Sequence, residues 1–261
     1  MQSTSARRFS PIVIVLIAVL VVCLVGGVAG GLYLVNTYAQ IRDVENAQSM
    51  QPTLPDLSDA SQTVKNPISF AALGEENPDV YAWIYIPGTS INYPVCQSAD
   101  NDAFYLTHNA KKEDSELGAV FSESQFNGKG FQDRVTILYG HNGYGDTMFT
   151  PLHNFERSEF FNGNDKVYVY TADRVRTYQV ISSFMSDDQH LMGLYNFQDD
   201  SDFARFLQFV QNPSALGAQV RPVNLGADSK ILVLSTCNTG ALEATGRYLV
   251  CGVMVDDRPA S

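Results

Sequence analysis

Two regimes of hydrophobic patterning divide the chain. From Phe9 to Ile41 no residue is charged, and Pro11 to Val35 is almost wholly apolar. About 20 apolar residues cross a hydrocarbon core of roughly 30 Å, so residues 11–35 read as a transmembrane anchor. Arg7 and Arg8 precede this run, and Asp43 and Glu45 follow it. The positive-inside bias then makes residues 1–10 a short cytoplasmic tail and places the remainder outside the membrane. A cleaved signal peptide is the alternative, but its apolar region usually spans about 7–15 residues. This run is longer and ends in Leu32-Tyr33-Leu34-Val35, which is no small-x-small cleavage site.

Residues 36–65 are polar, with Pro52, Pro55 and several Ser, Asp and Gln, and read as a juxtamembrane helix fading into a linker. Asn66-Pro67 has the form of a helix start, with Asn as cap and Pro in the first turn. Beyond Val80 the pattern turns to strands. Tyr81–Ile86 is aromatic and β-branched and stops at Pro87-Gly88; Ile91–Cys96, Gly118–Ser122 and Val135–Tyr139 follow. Lys166–Thr171 alternates, Val167 and Val169 on one face and Tyr168 and Tyr170 on the other, and a short turn leads to Arg174–Phe184 as a hairpin partner. Ile231–Leu234 is a continuous apolar run, which reads as a strand buried on both faces. Tyr248–Val255 is another strand. Thr147–Phe155 carries a short helical pattern. Asp199–Gln211 is clearer, with acidic residues at its start and Phe203, Phe206, Leu207 and Val210 at helical spacing. Many short strands and few helices predict one mainly β domain over residues 66–261, closed or nearly closed as a barrel.

The balance of 28 acidic against 17 basic residues gives a net charge of −11. With Arg7 and Arg8 ahead of the apolar run, the acidic excess falls on the domain, a poor partner for nucleic acid or anionic lipid. Cys23 lies in the apolar run, leaving Cys96, Cys237 and Cys251. An odd number outside leaves at least one thiol unpaired. No CxxC or Cys/His cluster has zinc spacing, and no acidic run has calcium-loop spacing; no metal or cofactor is expected.

Two settings stand out. His141 follows the strand Val135–Tyr139 and Gly140, and opens the Gly-rich loop Asn142–Asp146. Cys237 ends the strand that begins Ile231-Leu232-Val233-Leu234, with Ser235 and Thr236 between and Asn238-Thr239-Gly240 after it. Strand ends feeding loops are where reactive groups are held on rigid scaffolds. Arg247 starts the next strand; two antiparallel neighbours would bring it beside Cys237, the geometry a nucleophile and an oxyanion donor need. His108, His153 and His190 read as structural or surface groups, and Cys96 and Cys251 as buried strand residues, with a disulfide between the two left open.

Together these residues carry a resemblance. Leu234-Ser235-Thr236-Cys237 followed by Arg247 resembles the TLxTC…R signature of sortases, with Val233 where the family usually has Thr. Tyr139-Gly140-His141 resembles the sortase histidine segment. Trp83–Asn109, Gly118–Gly128 and the helix before the nucleophile strand resemble class B in particular. The likeness runs from about Asn66 to Val255. It implies an eight-stranded sortase-type β-barrel with N-terminal helices and an extra helix before the nucleophile strand. It also implies a Gram-positive cell-surface setting and a cysteine transpeptidase, in which Cys237 attacks, His141 moves protons and Arg247 steadies the oxyanion. Ser235, Thr236 and Asn238 are the expected substrate-binding positions. The implied partners are secreted proteins with a C-terminal sorting motif and an amine acceptor, either the peptidoglycan cross-bridge or a pilin lysine. The resting Cys–His pair is expected to be only modestly reactive. Rival readings fit less well. An L,D-transpeptidase has its His and Cys close together in an SHGC-like motif, and a papain-like hydrolase places Cys before His. A non-catalytic anchored binding domain would not need all three residue types.

Overall fold

The computed structural model describes residues 10–48, 54–55, 63–143, 145–237 and 246–261. Two units separate along the chain, residues 1–43 and 44–261. In the first, the uncharged run forms helix α1, Pro11–Gln48. Its Pro11–Ala39 segment, with a mean hydropathy of 3.3, is long and apolar enough by length and composition to cross a membrane. Helix α1 runs on past the expected anchor into the juxtamembrane stretch, while most of the linker at 49–62 lies outside the described residues.

In the second unit the helix expected at Asn66-Pro67 starts later. Helix α2 covers Phe70–Glu76, and the Ser69 side chain accepts from the Ala72 N–H at 3.3 Å. Asn66 is occupied differently. Its Nδ2 donates to the Thr171 carbonyl at 2.9 Å, and its Oδ1 accepts from the Ile68 N–H at 3.1 Å. A side chain that turns its own backbone competes with capping, and here Asn66 ties the segment before α2 to the barrel. The same strip pairs with the C-terminus through Val64 and Ala260.

Among the described residues nine strands follow: β1 Val80–Tyr85, β2 Asn92–Cys96, β3 Val120–Phe121, β4 Val135–Tyr139, β5 Lys166–Tyr170, β6 Arg174–Ser186, β7 Gln219–Val220, β8 Ile231–Cys237 and β9 Arg247–Pro259. Their order is β5-β1-β2-β3-β4-β8-β9-β6-β7, and β6 also pairs with β5. That pairing closes eight strands into a barrel, with the two-residue β7 appended outside the ring. Strand β7 has no hydrophobic signature of its own and was not legible in sequence. Between β4 and β5 lie a 3₁₀ segment, Thr150–Glu156, and helix α3, Ser158–Gly163. Between β6 and β8 lie helices α4, Leu191–Leu194, and α5, Asp200–Gln211. Helix α5 starts where its acidic cap predicts: Asp199 accepts from the N–H groups of Ser201 and Asp202.

The strand alternation sends side chains to opposite faces, into separate core clusters. Val167, Val169, Leu232, Leu234, Tyr248 and Val250 belong to the larger cluster. Ile231, Val233, Leu249 and Cys251 take the opposite face and pack with Phe203, Phe206 and Val210 of α5. Strand β8 is thus buried on both faces, which explains its unbroken apolar run. Tyr168 and Tyr170 face away from Val167 and Val169, into a third cluster with Trp83 and Val64.

Candidate active site

Strands β4 and β8 run parallel in continuous register, from Val135 opposite Ile231 to Tyr139 opposite Ser235. The pairing extends one residue further, where the Gly140 N–H donates to the Ser235 carbonyl at 3.2 Å. Both strands therefore leave the sheet at the same edge. His141 stands two residues beyond Tyr139, and Cys237 two beyond Ser235. On the other side of β8, antiparallel β9 sets Arg247 directly opposite Cys237. Neighbouring strands lie about 4.8 Å apart, so the backbones of His141, Cys237 and Arg247 share one barrel edge with the cysteine in the middle. Ninety-six residues of sequence (positions 141 and 237) separate two groups that the topology makes neighbours.

Local sequence fixes the histidine. Its carbonyl accepts from the Phe149 N–H at 3.0 Å, and its Nε2 lies 2.8 Å from the Leu106 carbonyl. A carbonyl only accepts, so Nε2 holds the proton, and Nδ1 is the basic nitrogen of the neutral ring. Two glycines make room. A Cβ on Gly140 would come within 2.7 Å of the Phe149 ring. Gly118, at φ +59°, lies under the histidine; a Cβ there would sit 2.4 Å from the Tyr105 carbonyl and 3.1 Å from His141 Cδ2.

Arg247 lines a narrow cavity of about 50 Å³ with Tyr139, Ser235 and Leu249 on the sheet and the segment from Asp187 to Leu191 opposite. On its far side β9 pairs with β6, Arg247 opposite Ser186, so the 187–191 segment begins beside the arginine. Of the three expected substrate-binding positions, Ser235 lines this cavity. Thr236 is buried on β8 opposite Tyr248 and does not line it; its parity is that of the inner-core residues Leu232 and Leu234. Asn238 lies outside the described residues.

Sequence reading missed the polar groups on the cavity's flank. The Tyr139 hydroxyl donates to Glu123 Oε2 at 3.1 Å, and His190 Nε2 lies 2.7 Å from the same oxygen. Burial, with the Glu123 charge next, pushes the Tyr139 phenol well up from its ordinary value, while Arg247 pulls the other way. The phenol therefore stays protonated as a donor. The only sequence signal for these residues was their place in the segments carrying the resemblance, and His190 had not even that. The other histidines fit their structural reading. His108 stacks on Phe104 and meets its carbonyl at 2.9 Å, and His153 pairs with Glu156 at 2.6 Å. Cys96 and Cys251 are buried free thiols in separate core clusters, each pushed up to about 12 first of all by desolvation.

Known proteins are similar to this chain in sequence and fold. The sortase domain family matches residues 84–255. Sortase B of Staphylococcus aureus (strain NCTC 8325 / PS 47) is 27% identical over 250 residues, covering 95% of this chain and 98% of that one. The crystal structure of Clostridium perfringens sortase B superposes with a TM-score of 0.64 at 31% identity, covering 72% of this chain and all of the other. A Streptococcus pyogenes class B sortase involved in pilus biogenesis superposes at 0.61 with 27% identity, covering 72% of this chain and 98% of that one. The eight-stranded barrel, the helical insert before β8 and these matches agree: the chain belongs to the sortase family of cysteine transpeptidases, and within it to class B.

Proposed function

We propose that Cys237, His141 and Arg247 are the catalytic residues of a membrane-anchored transpeptidase that joins secreted proteins to an amine acceptor, most commonly the peptidoglycan cross-bridge. One observation carries this reading: the register β4-β8-β9 lines the three residue positions along a single barrel edge. In the reaction, the Cys237 thiol gives its proton to the neutral His141 ring, and the resulting thiolate attacks the carbonyl carbon of a peptide bond in the donor's sorting motif. The carbonyl π electrons move to oxygen, and the Arg247 guanidinium donates hydrogen bonds to that oxyanion. Collapse expels the downstream amine, which takes a proton from the His141 imidazolium, and leaves a thioester on Cys237. The acceptor amine then attacks the thioester, its proton passes to His141, and the thiolate leaves as the new amide forms.

The apolar α1 segment supports a single-pass anchor over residues 11–35. Arg7 and Arg8 ahead of it support a cytoplasmic tail at 1–10, with the linker at 36–65 and the catalytic domain at 66–261 on the cell-wall side. The pilus-associated relative supports a second reading, in which a lysine of a pilin subunit is the acceptor. The test is a panel of fluorogenic sorting peptides with full-length protein, run with cross-bridge amines, lysine-bearing peptides or neither. Cleavage that Cys237→Ala abolishes, with an acyl adduct mapped to Cys237, supports the assignment; whichever amine appears in the product selects the acceptor. Turnover that survives Cys237→Ala would sink it.

A further inference from the structure

The cavity beside Arg247 has walls from three separate parts of the chain, and a single carboxylate joins them. Glu123 follows β3, Tyr139 ends β4, and His190 opens α4 in the insert between β6 and β8. Glu123 Oε2 accepts from the Tyr139 hydroxyl at 3.1 Å and stands 2.7 Å from His190 Nε2; the two donors are 3.3 Å apart. A carboxylate oxygen is an acceptor and the phenol proton is directed to it, so Nε2–H of His190 is the second donor. The Glu123 side chain is 18% exposed and that of His190 41%, so their contact is partly screened from water. Ring packing reinforces it: His190 lies 5.2 Å from Phe126 and stacks at 6.3 Å on Tyr139. Among the described residues, little other polar bonding restrains the 187–190 segment on the sheet side: Gln189 bonds to Asp187, and the His190 carbonyl is used within α4.

We propose that Glu123 and His190 are positioning residues that clasp the 187–191 segment against the end of β4, so that this segment forms a fixed wall of the donor-peptide cleft over Arg247. The inference rests on the assignment of Arg247 to the active site and adds to it the side chains that shape the cleft. A preformed wall contributes to binding of the peptide in its ground and transition states alike, so its loss falls on KM and not on kcat.

The experiment measures KM and kcat of full-length enzyme on its best donor peptide, alongside hydrogen exchange of amides 188–195. Glu123→Ala and His190→Ala are each expected to raise KM about tenfold, as for loss of a charge-assisted hydrogen bond, with kcat within about twofold and faster exchange across 188–195. Glu123→Gln keeps an acceptor oxygen and is expected to restore most of the KM. The double alanine variant is expected to fall well short of the product of the two single effects, since the Glu123–His190 contact is already lost in each. A fall in kcat at constant KM, or a Gln variant as impaired as Ala, overturns the proposal. Should the wild type cleave no peptide, the transpeptidase assignment fails separately. Hydrogen exchange then decides the clasp alone, and unchanged exchange at 188–195 in Glu123→Ala overturns it.

Discussion

The β8–β9 ladder has two stretches of different character. From Ile231 opposite Val253 to Leu234 opposite Val250 it is covered on both faces, by the barrel interior on one side and helix α5 on the other. At its other end, from Ser235 to Cys237 opposite Leu249 to Arg247, the outer cover gives way to a cavity. The two stretches share strands, hydrogen bonding and register. What differs is the cover, and with it the chemistry available. Cys251, in the covered stretch, has its thiol pushed up to about 12 by burial and is inert as a nucleophile. The difference teaches that a cysteine's chemistry on this ladder depends on where the cover of helix α5 stops.

The contrast can be broken from either side. The largest effect is expected at the open end, where Cys237→Ala should take peptide cleavage down to background; a measurable residual rate would move the nucleophile elsewhere. In the covered stretch, Phe206→Ala removes a fully buried ring of α5 and is expected to cost about 3–5 kcal/mol of stability. Denaturant unfolding measures it, and a loss below about 1 kcal/mol would mean α5 does not seal this face. Arg247→Ala is expected to lower kcat by about 10²–10³, the usual cost of an oxyanion donor, with an unchanged unfolding midpoint; equal losses of stability and rate would reduce the arginine to a strand residue. Gly118→Ala forces a side chain into the left-handed region beneath His141 and should cost about 1–3 kcal/mol together with activity. Wild-type activity in that variant would show that the histidine does not need its seat. Smallest, and finest as a discriminator, is thiol labelling of the folded protein. Cys237 should react slowly near neutral pH, while Cys96 and Cys251 stay unmodified until the pH approaches about 12 or the fold opens. Modification of Cys251 ahead of Cys237 would reverse the comparison.

Much of this was legible before any coordinates. Every strand but β7 announced itself, because a strand buried on both faces must be apolar throughout and one between two cores must alternate. Helix α5 was readable from its acidic cap and four spaced apolar residues. His141, Cys237 and Arg247 stood out because each sits where an apolar strand meets a loop. The Glu123–Tyr139–His190 contact was illegible for the opposite reason. Its members lie in three segments distant in sequence, and only the fold brings them to one oxygen. The Asn66 side chain misled in the same way, since its long-range bond to Thr171 outcompeted a local rule.

The parallel pairing of β4 with β8 also bears on when activity can arise. A contact between such distant segments forms late, because loop-closure entropy is spent before the contact returns anything. Until β8 docks beside β4, the residues at positions 141 and 237 belong to separate stretches of the unfolded chain. On the proposed assignment, competence therefore arrives only with ring closure.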